Sequence, residues 1–211
     1  KPGAPSSSSF LGLHCSRGVV WRLSGLFAID SFAGGFVIQS LAAYWFHLRF
    51  GVDPGRLGGI FFGANILAGF SALVAARLAS RLGLIKTMVF THLPSNVLLI
   101  LVPLMPSEAL AIALLLLRFS ISQMDVPTRQ SYLMAVVNPD ERSAAAGVAG
   151  VARTTGASVS PLFAGILLGN PLLLNFPFYL AGGLKILYDL LLYRSFISLK
   201  PPEETEGKLE P

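Results

Sequence analysis

Residues 109–165 form the stretch that most constrains what this chain can become. Two apolar segments are joined there by the polar turn NPDER (138–142), and each contains an arginine, Arg118 in the first and Arg153 in the second. A charge at bilayer depth costs at least about 2.5–3.5 kcal/mol, and chains seldom keep one without a use. The stretch therefore predicts a membrane protein that moves something polar.

Composition supports a membrane class and argues against nucleic acid as a partner. The chain is 53% hydrophobic and only 13% charged, whereas a soluble domain has about 25% charged residues. The net charge is +5, but the basic residues are scattered between apolar segments and form no patch. Because Cys15 is the single cysteine, the chain itself can form neither a disulfide framework nor a multi-cysteine metal site. We expect no cofactor and no metal.

Six apolar segments predict an all-α membrane protein, since about 20 residues cross ~30 Å of hydrocarbon. The predicted spans are 23–46, 57–78, 85–104, 109–126, 144–168 and 178–196. Within the third span, Pro94 is expected to kink the helix. The predicted domains are a cytoplasmic linker (1–18), a six-span half bundle (19–198) and a disordered cytoplasmic tail (199–211). The linker-like start, KPGAPSSSS, suggests the central loop of a longer chain.

Basic residues predict the orientation. If the N-terminus is cytoplasmic, only Arg49 and Arg56 lie in loops outside the membrane. Eleven others then lie inside: Lys1, Arg17, Arg22, Arg77, Arg81, Lys86, Arg129, Arg142, Arg194, Lys200 and Lys208. This bias places both termini in the cytoplasm.

Six ionisable residues fall within or at the edge of the predicted spans: Asp30, Arg118, Asp125, Arg153, Lys185 and Asp189. Lys185 and Asp189 are four residues apart, so we expect an intrahelical pair, which is either structural or functional. Asp125 ends its span near Arg129, which predicts a structural or gating role.

Asp30 and Arg118 have no opposite charge within one helical turn, so their partners must come from other helices or from water. Either they line a transport path or they form a fixed ion pair, and the sequence leaves both open. Arg153 is similar, but its depth depends on where the fifth span begins. His92, beside Pro94, is expected to be a polar packing residue at the kink rather than a ligand.

Three motifs follow one another along the predicted spans: the basic turn ARLASRLGLIK, the segment LLLLRFSISQ and a glycine–proline pattern from Gly147 to Gly165. Together they resemble the motifs of the major facilitator superfamily (MFS), and most of all those of its C-terminal six-helix half. The basic turn ARLASRLGLIK, with Arg81, Gly83 and Lys86, resembles the family's cytoplasmic loop motif, although Ser80 replaces its acidic residue. LLLLRFSISQ resembles the arginine motif of the fourth span, with Arg118 as the arginine. Four residues match the glycine–proline motif of antiporter-like members: Gly147, Gly156, Pro161 and Gly165. Ser160 and Ala164 replace two other glycines of that motif.

The resemblance implies two six-helix halves around a central cavity, rocking by alternating access. The implied substrate or proton path contains Asp30, Gln39, Arg118, Gln123 and Arg153. The implied cytoplasmic gate contains Arg81, Gly83, Lys86, Asp125, Arg129 and Arg142, with Arg129 and Arg142 in the inner loop. The glycine–proline motif would pack helices closely.

We therefore expect a secondary transporter rather than an enzyme, exporting small organic molecules by antiport with protons. Its expected partners are a small-molecule substrate, protons, the lipid bilayer and a missing N-terminal six-helix half. A bacterial inner or plasma membrane is the expected location. The alternative is a stand-alone six-span protein that homodimerises, as a transporter or as a scaffold.

Other membrane functions fit the sequence less well. A rhomboid-type protease needs a histidine after its serine, but Gly156-Ala157-Ser158 follows all three histidines. Aquaporin-type pores need Asn-Pro-Ala pairs, whereas Asp140 follows Asn138-Pro139 and Leu172 follows Asn170-Pro171. No TVGYG-like potassium filter is present.

Overall fold

The structure, a computed structural model, describes residues 11–199. These residues form α-helices joined by short turns, with no strand among them. The helices are α1 (Arg17–Gly35), α2 (Gln39–Phe50), α3 (Pro54–Leu82), α4 (Leu84–Leu101), α5 (Glu108–Ser122), α6 (Asp125–Ala135), α7 (Arg142–Leu168) and α8 (Phe176–Phe196). The predicted all-helical class is confirmed for this part of the chain.

Five segments of the described chain are long and apolar enough to cross a membrane: Arg17–Phe50, Pro54–Leu82, Leu84–Leu104, Glu108–Ala135 and Pro139–Leu168. They contain the first five predicted spans. The sixth predicted span forms α8, which is helical but is not one of these five. Lys185 and Asp189 reduce the apolar character of α8, so a sixth crossing stays a prediction.

The first predicted span is two helices rather than one. Helix α1 ends at Gly35 and α2 begins at Gln39, with Ile38 extended between them (ψ 153°). A methyl group at Gly35 would lie 2.8 Å from the carbonyl oxygen of Ala157 and closer still to the hydroxyl of Ser160. The end of α1 therefore presses directly on α7, and the paired glycines there have low helix propensity.

The fourth predicted span is also interrupted, and it extends beyond its predicted end at 126. Helix α5 ends at Ser122 and α6 begins at Asp125. Pro127 has no N–H to donate to the carbonyl of Gln123, which favours an interruption of the helix at this point. The hydroxyl of Thr128 instead donates to the carbonyls of Met124 and Asp125, both at 2.9 Å.

The helices pack around two apolar clusters. Helix α1 lies mainly against α7 and α8, while α4 packs on α8, α5 and α6. One cluster is built around Trp45, Phe46 and Phe178. The other includes Phe27 and Tyr188. Each cluster draws residues from α1, α4 and α8, so these three helices connect the two halves of the core.

Large apolar side chains cover the outer faces of α3 and α7. Phe62 is 70% exposed on α3 and Leu162 is 71% exposed on α7. Phe70, Leu73, Val151 and Ile166 are exposed on the same two helices. Apolar surface of this extent needs lipid or another protein surface to cover it.

The described part of the predicted linker packs against the bundle. Leu13 is fully buried, and the carboxylate of Glu141 accepts hydrogen bonds from the backbone N–H groups of His14, Cys15 and Ser16. The backbone N–H of Asn138 donates to the Ser16 hydroxyl at 3.1 Å. The turn between α6 and α7 therefore anchors the start of α1. Residues 1–10 and the predicted tail after 199 lie outside the described residues.

Replacing Gly156 should destabilise the bundle, because a methyl group there would lie 2.5 Å from the carbonyl oxygen of Ala28. We expect Gly156→Ala to cost about 1–3 kcal/mol, the usual cost of overpacking. Gly165→Ala is the matched control on the same helix, since a methyl group there meets nothing within 4 Å. Thermal unfolding in detergent measures both. Equal melting temperatures for the two variants would contradict the close α1–α7 contact.

The predicted orientation can be tested at Cys15, whose side chain is exposed. A membrane-impermeant maleimide should label Cys15 only from the cytoplasmic side, because the basic bias places the N-terminus there. Arg49→Cys in a Cys15→Ser background is the control and should be labelled only from outside. Labelling of both cysteines from the same side would invalidate this topology.

Candidate functional site: a buried charge network

Seven polar side chains meet at the boundary between the two apolar clusters. Each of α1, α4 and α8 passes from one cluster to the other and carries polar residues at the crossing point. We call this set the charge network: Asp30, His92, Asn96, Asp125, Arg129, Lys185 and Asp189. All seven are buried.

Asp30, on α1, is the centre of the charge network and is only 5% exposed. Its Oδ1 lies 2.5 Å from Nζ of Lys185 on α8, and its Oδ2 accepts a hydrogen bond from Arg129 of α6 at 2.7 Å. The same Oδ1 lies 3.7 Å from Nε2 of His92 on α4. One carboxylate therefore connects four helices.

Arg129 links two carboxylates. Besides Asp30, it contacts Asp125 one helical turn earlier, with Nη2 3.4 Å from Oδ2. Its guanidinium also lies over the ring of Phe27, 5.4 Å from the centroid. The planar fork of arginine suits such a double contact, which a lysine could not reproduce.

Asp189, on α8, forms the second part of the charge network with α4. Its Oδ1 lies 2.8 Å from Nδ1 of His92, and its Oδ2 accepts a hydrogen bond from the amide of Asn96 at 3.0 Å. The ring of Tyr188 packs edge-on against the His92 imidazole, with centroids 5.9 Å apart. No permanent cation contacts Asp189 in the described structure.

The expected intrahelical pair of Lys185 with Asp189 is wrong. Lys185 reaches α1 and Asp189 reaches α4, so each residue pairs with a different neighbouring helix. Spacing of four residues places both side chains on the inner face of α8, but packing decides their partners. In this structure the ion-pair partners of Asp30 come from other helices, and Arg129 contacts Asp125.

Sequence reasoning missed His92 and Asn96 as members of the site. The available signal was their spacing, because two polar residues four positions apart share one face of a very apolar helix. Pro94 lies inside the same helix, as expected. From the sequence, His92 is expected to pack at the Pro94 kink, whereas in the structure it contacts Asp189.

Arg118 has no carboxylate partner within the described residues. Its Nε is buried without a hydrogen bond, and its guanidinium lies 5.4 Å from the ring centroid of Phe119. Gln123 is half-buried at the break between α5 and α6, and Arg153 is exposed on α7. The residues of the predicted path therefore do not form one cluster, and only Asp30 belongs to the charge network.

Gln39 lies at a separate site, on the rim of a cavity of about 410 Å³ between α2 and α3. Its side-chain amide donates to Asn65 of α3 at 2.9 Å. Tyr44, His47 and Phe61 also line this cavity. The lining is mainly apolar and aromatic with a few polar groups, which is typical of pockets for small organic molecules.

The predicted gate residues separate into two groups. Arg81, Lys86 and Arg142 are exposed, and Arg142 donates to the carbonyl of Met134 at 2.9 Å. Gly83 joins α3 to α4 at a φ of 87°, a conformation that favours glycine.

Asp125 and Arg129 are buried in the charge network instead. Arg129 was expected in the inner loop, but α6 continues the fourth span and carries it into the bundle. Asp125 contacts Arg129 and forms no ion pair with Arg81 in this structure.

Within residues 11–199, no group of three or more His, Cys, Asp or Glu residues is arranged to hold a metal ion. The charge network pairs its carboxylates with cationic or amide groups instead.

Replacing Asp30 should strongly destabilise the bundle, because Asp30→Asn leaves Lys185 without its carboxylate. Removing one partner of a buried ion pair lowers the free energy of unfolding by about 3–5 kcal/mol. Asp140→Asn is the matched control, since Asp140 is exposed and contacts only the exposed His14. Unfolding of the purified protein should show a large loss of stability for Asp30→Asn and little change in stability for Asp140→Asn. Similar stability of both variants would contradict the central position of Asp30.

Comparison with known proteins agrees with the resemblance seen in the motifs. Residues 23–211 match the Major Facilitator Superfamily. The chain is also 28% identical over 182 residues to YJR124C, an uncharacterized membrane protein of Saccharomyces cerevisiae. That match covers 86% of this chain and 40% of the yeast protein, so the chain spans well under two thirds of this curated relative. Because the family match covers most of its length, the chain belongs to the Major Facilitator Superfamily.

Proposed function

We propose that the protein is a secondary active transporter that exports small organic molecules in exchange for protons. The family suggests membrane transport, and the chain would supply one six-helix half of an alternating-access machine. The missing N-terminal half would cover the exposed apolar faces of α3 and α7. The proposal includes the coupling to protons, the direction of export, the class of substrate and the location in a bacterial plasma membrane.

The buried charge network carries this proposal. Burying ion pairs brings little stability, since apolar replacements of similar volume are often neutral or stabilising. A scaffold would therefore gain little from carboxylates and cations at the boundary between two apolar clusters. In membrane helices, such residues commonly mark ion pathways and proton relays.

The two interrupted spans support the same function. Discontinuous helices are common at transporter sites, where unwound backbone and helix ends face substrate or ions. Here the breaks occur between α1 and α2 and between α5 and α6. Those are the first and fourth spans, which the family resemblance assigns to the transport path.

Two regions fit substrate binding. The cavity beside Gln39 offers aromatic and apolar surface with uncharged hydrogen-bonding groups. Arg118 offers a cation without a carboxylate partner in the described structure. We propose that Arg118 contacts the substrate, or a counter-charge in the missing half.

The transport proposal can be tested on the full-length protein in proteoliposomes with an imposed pH gradient. Ethidium and fluorescein serve as cationic and anionic fluorescent probes. We expect gradient-dependent movement of at least one probe, and a loss of roughly tenfold or more in Arg118→Gln, which corresponds to at least ~1.4 kcal/mol.

Arg49→Gln is the control for this assay, because Arg49 is exposed near the end of α2 and lies outside the charge network. Its rate should stay within about twofold of wild type, as expected for a surface change. The proposal would be contradicted if both probes moved at rates independent of the pH gradient. An equal loss of transport rate in Arg118→Gln and Arg49→Gln would contradict it as well.

A further inference from the structure

The charge network contains one carboxylate that lacks a permanent counter-charge. Asp30 has Lys185 and Arg129, and Asp125 shares Arg129. Asp189 has only His92 and Asn96, and Asn96 is a neutral amide. An isolated buried carboxylate is strongly unfavourable. Asp189 therefore depends on a proton at His92, or on its own protonation.

The contacts of His92 with Asp189 and Asp30 suit a charged imidazole, while the amide Nδ2 of Asn96 lies 3.2 Å from the same Nδ1 and suits an unprotonated Nδ1 beside a protonated Asp189. Nδ1 lies 2.8 Å from a carboxylate oxygen of Asp189, which can only accept a hydrogen bond when ionised. Nε2 lies 3.7 Å from Oδ1 of Asp30. An imidazolium carries a proton on both nitrogens and is attracted on both sides. A neutral ring that donates through Nδ1 would direct its Nε2 lone pair at Asp30.

Asp30 of α1 and Tyr188 and Asp189 of α8 lie beside the His92 ring. Among the other charged groups of the network, Lys185 of α8 and Arg129 of α6 contact Asp30, and Asp125 contacts Arg129. Helix α5 also packs on α4 and carries Arg118. The permanent cations among them contact Asp30 and Asp125, while Arg118 has no carboxylate within ion-pair distance in the described structure. None of them contacts Asp189.

We propose that His92 and Asp189 together bind one exchangeable proton, and that this is the proton that drives transport. Its role in coupling depends on the proposed function above, but the site itself does not. Release converts the imidazolium of His92 to neutral imidazole and leaves Asp189 ionised, and no other bond changes. The ion pair between α4 and α8 is then lost, which favours a rearrangement of these two helices.

The site can be tested without any substrate. The full-length protein is labelled with ¹⁵N-histidine in lipid nanodiscs, and the His92 signals are assigned by subtracting the spectrum of His92→Gln. At neutral pH we expect either imidazolium signals for His92 or, by infrared spectroscopy, a protonated carboxyl band that Asp189→Asn removes. Imidazolium signals from His92 should be lost in Asp189→Asn and retained in Asp140→Asn.

Two results would overturn the site. One is a neutral His92 beside an ionised Asp189 at every pH from about 5 to 9, a range that spans the ordinary titration of histidine. The other is a charged His92 whose signals are unchanged in Asp189→Asn.

Proteoliposome transport tests the coupling role separately. For each probe, the ratio of gradient-driven to downhill rate should fall towards one in His92→Gln. A ratio like that of wild type would refute the coupling role while transport stands. A proton on the pair in a protein that moves neither probe would leave the site intact and count against the proposed function.

Discussion

The arrangement of the helices depends on one carboxylate, that of Asp30, held between two cations. Lys185 and Arg129 come from α8 and α6, so the contacts of Asp30 on α1 hold three helices in register. These contacts lie where the two apolar clusters meet, and water has little access to them. Because the surroundings are apolar, removing Asp30 would leave Lys185 as a buried charge without a carboxylate partner.

The broken spans follow from local chemistry and bring α6 into the charge network. Gly35 lets the end of α1 approach α7 directly, and Pro127 favours the break before α6. Helix α6 then carries Asp125 and Arg129 inward instead of ending the span at the membrane surface. A bundle with unbroken first and fourth spans would not bring Arg129 to Asp30 in this way.

Sequence reasoning predicted the segments well and the contacts poorly. Hydropathy located all six helical segments and identified Asp30 as a residue whose partners lie on other helices. It could not decide that Lys185 reaches Asp30 rather than Asp189, because helical spacing identifies the inner face but not the neighbour opposite it. His92 was missed for a related reason, since its partners Asp189 and Asp30 are far away in sequence. In the glycine–proline motif, Gly156 makes the expected close contact, whereas methyl groups at Gly147 and Gly165 would meet nothing within the described bundle.

We propose that this bundle is half of an alternating-access transporter, whose two membrane faces open in turn. Hydrogen–deuterium exchange of the full-length protein, compared between pH 5.5 and pH 8, tests it on peptides from this chain. Protection from exchange, corrected for the intrinsic pH dependence of amide exchange, should change in opposite directions in the loop between α2 and α3 and in the turn between α6 and α7. Unchanged protection at both loops, or changes of the same sign, would contradict alternating access.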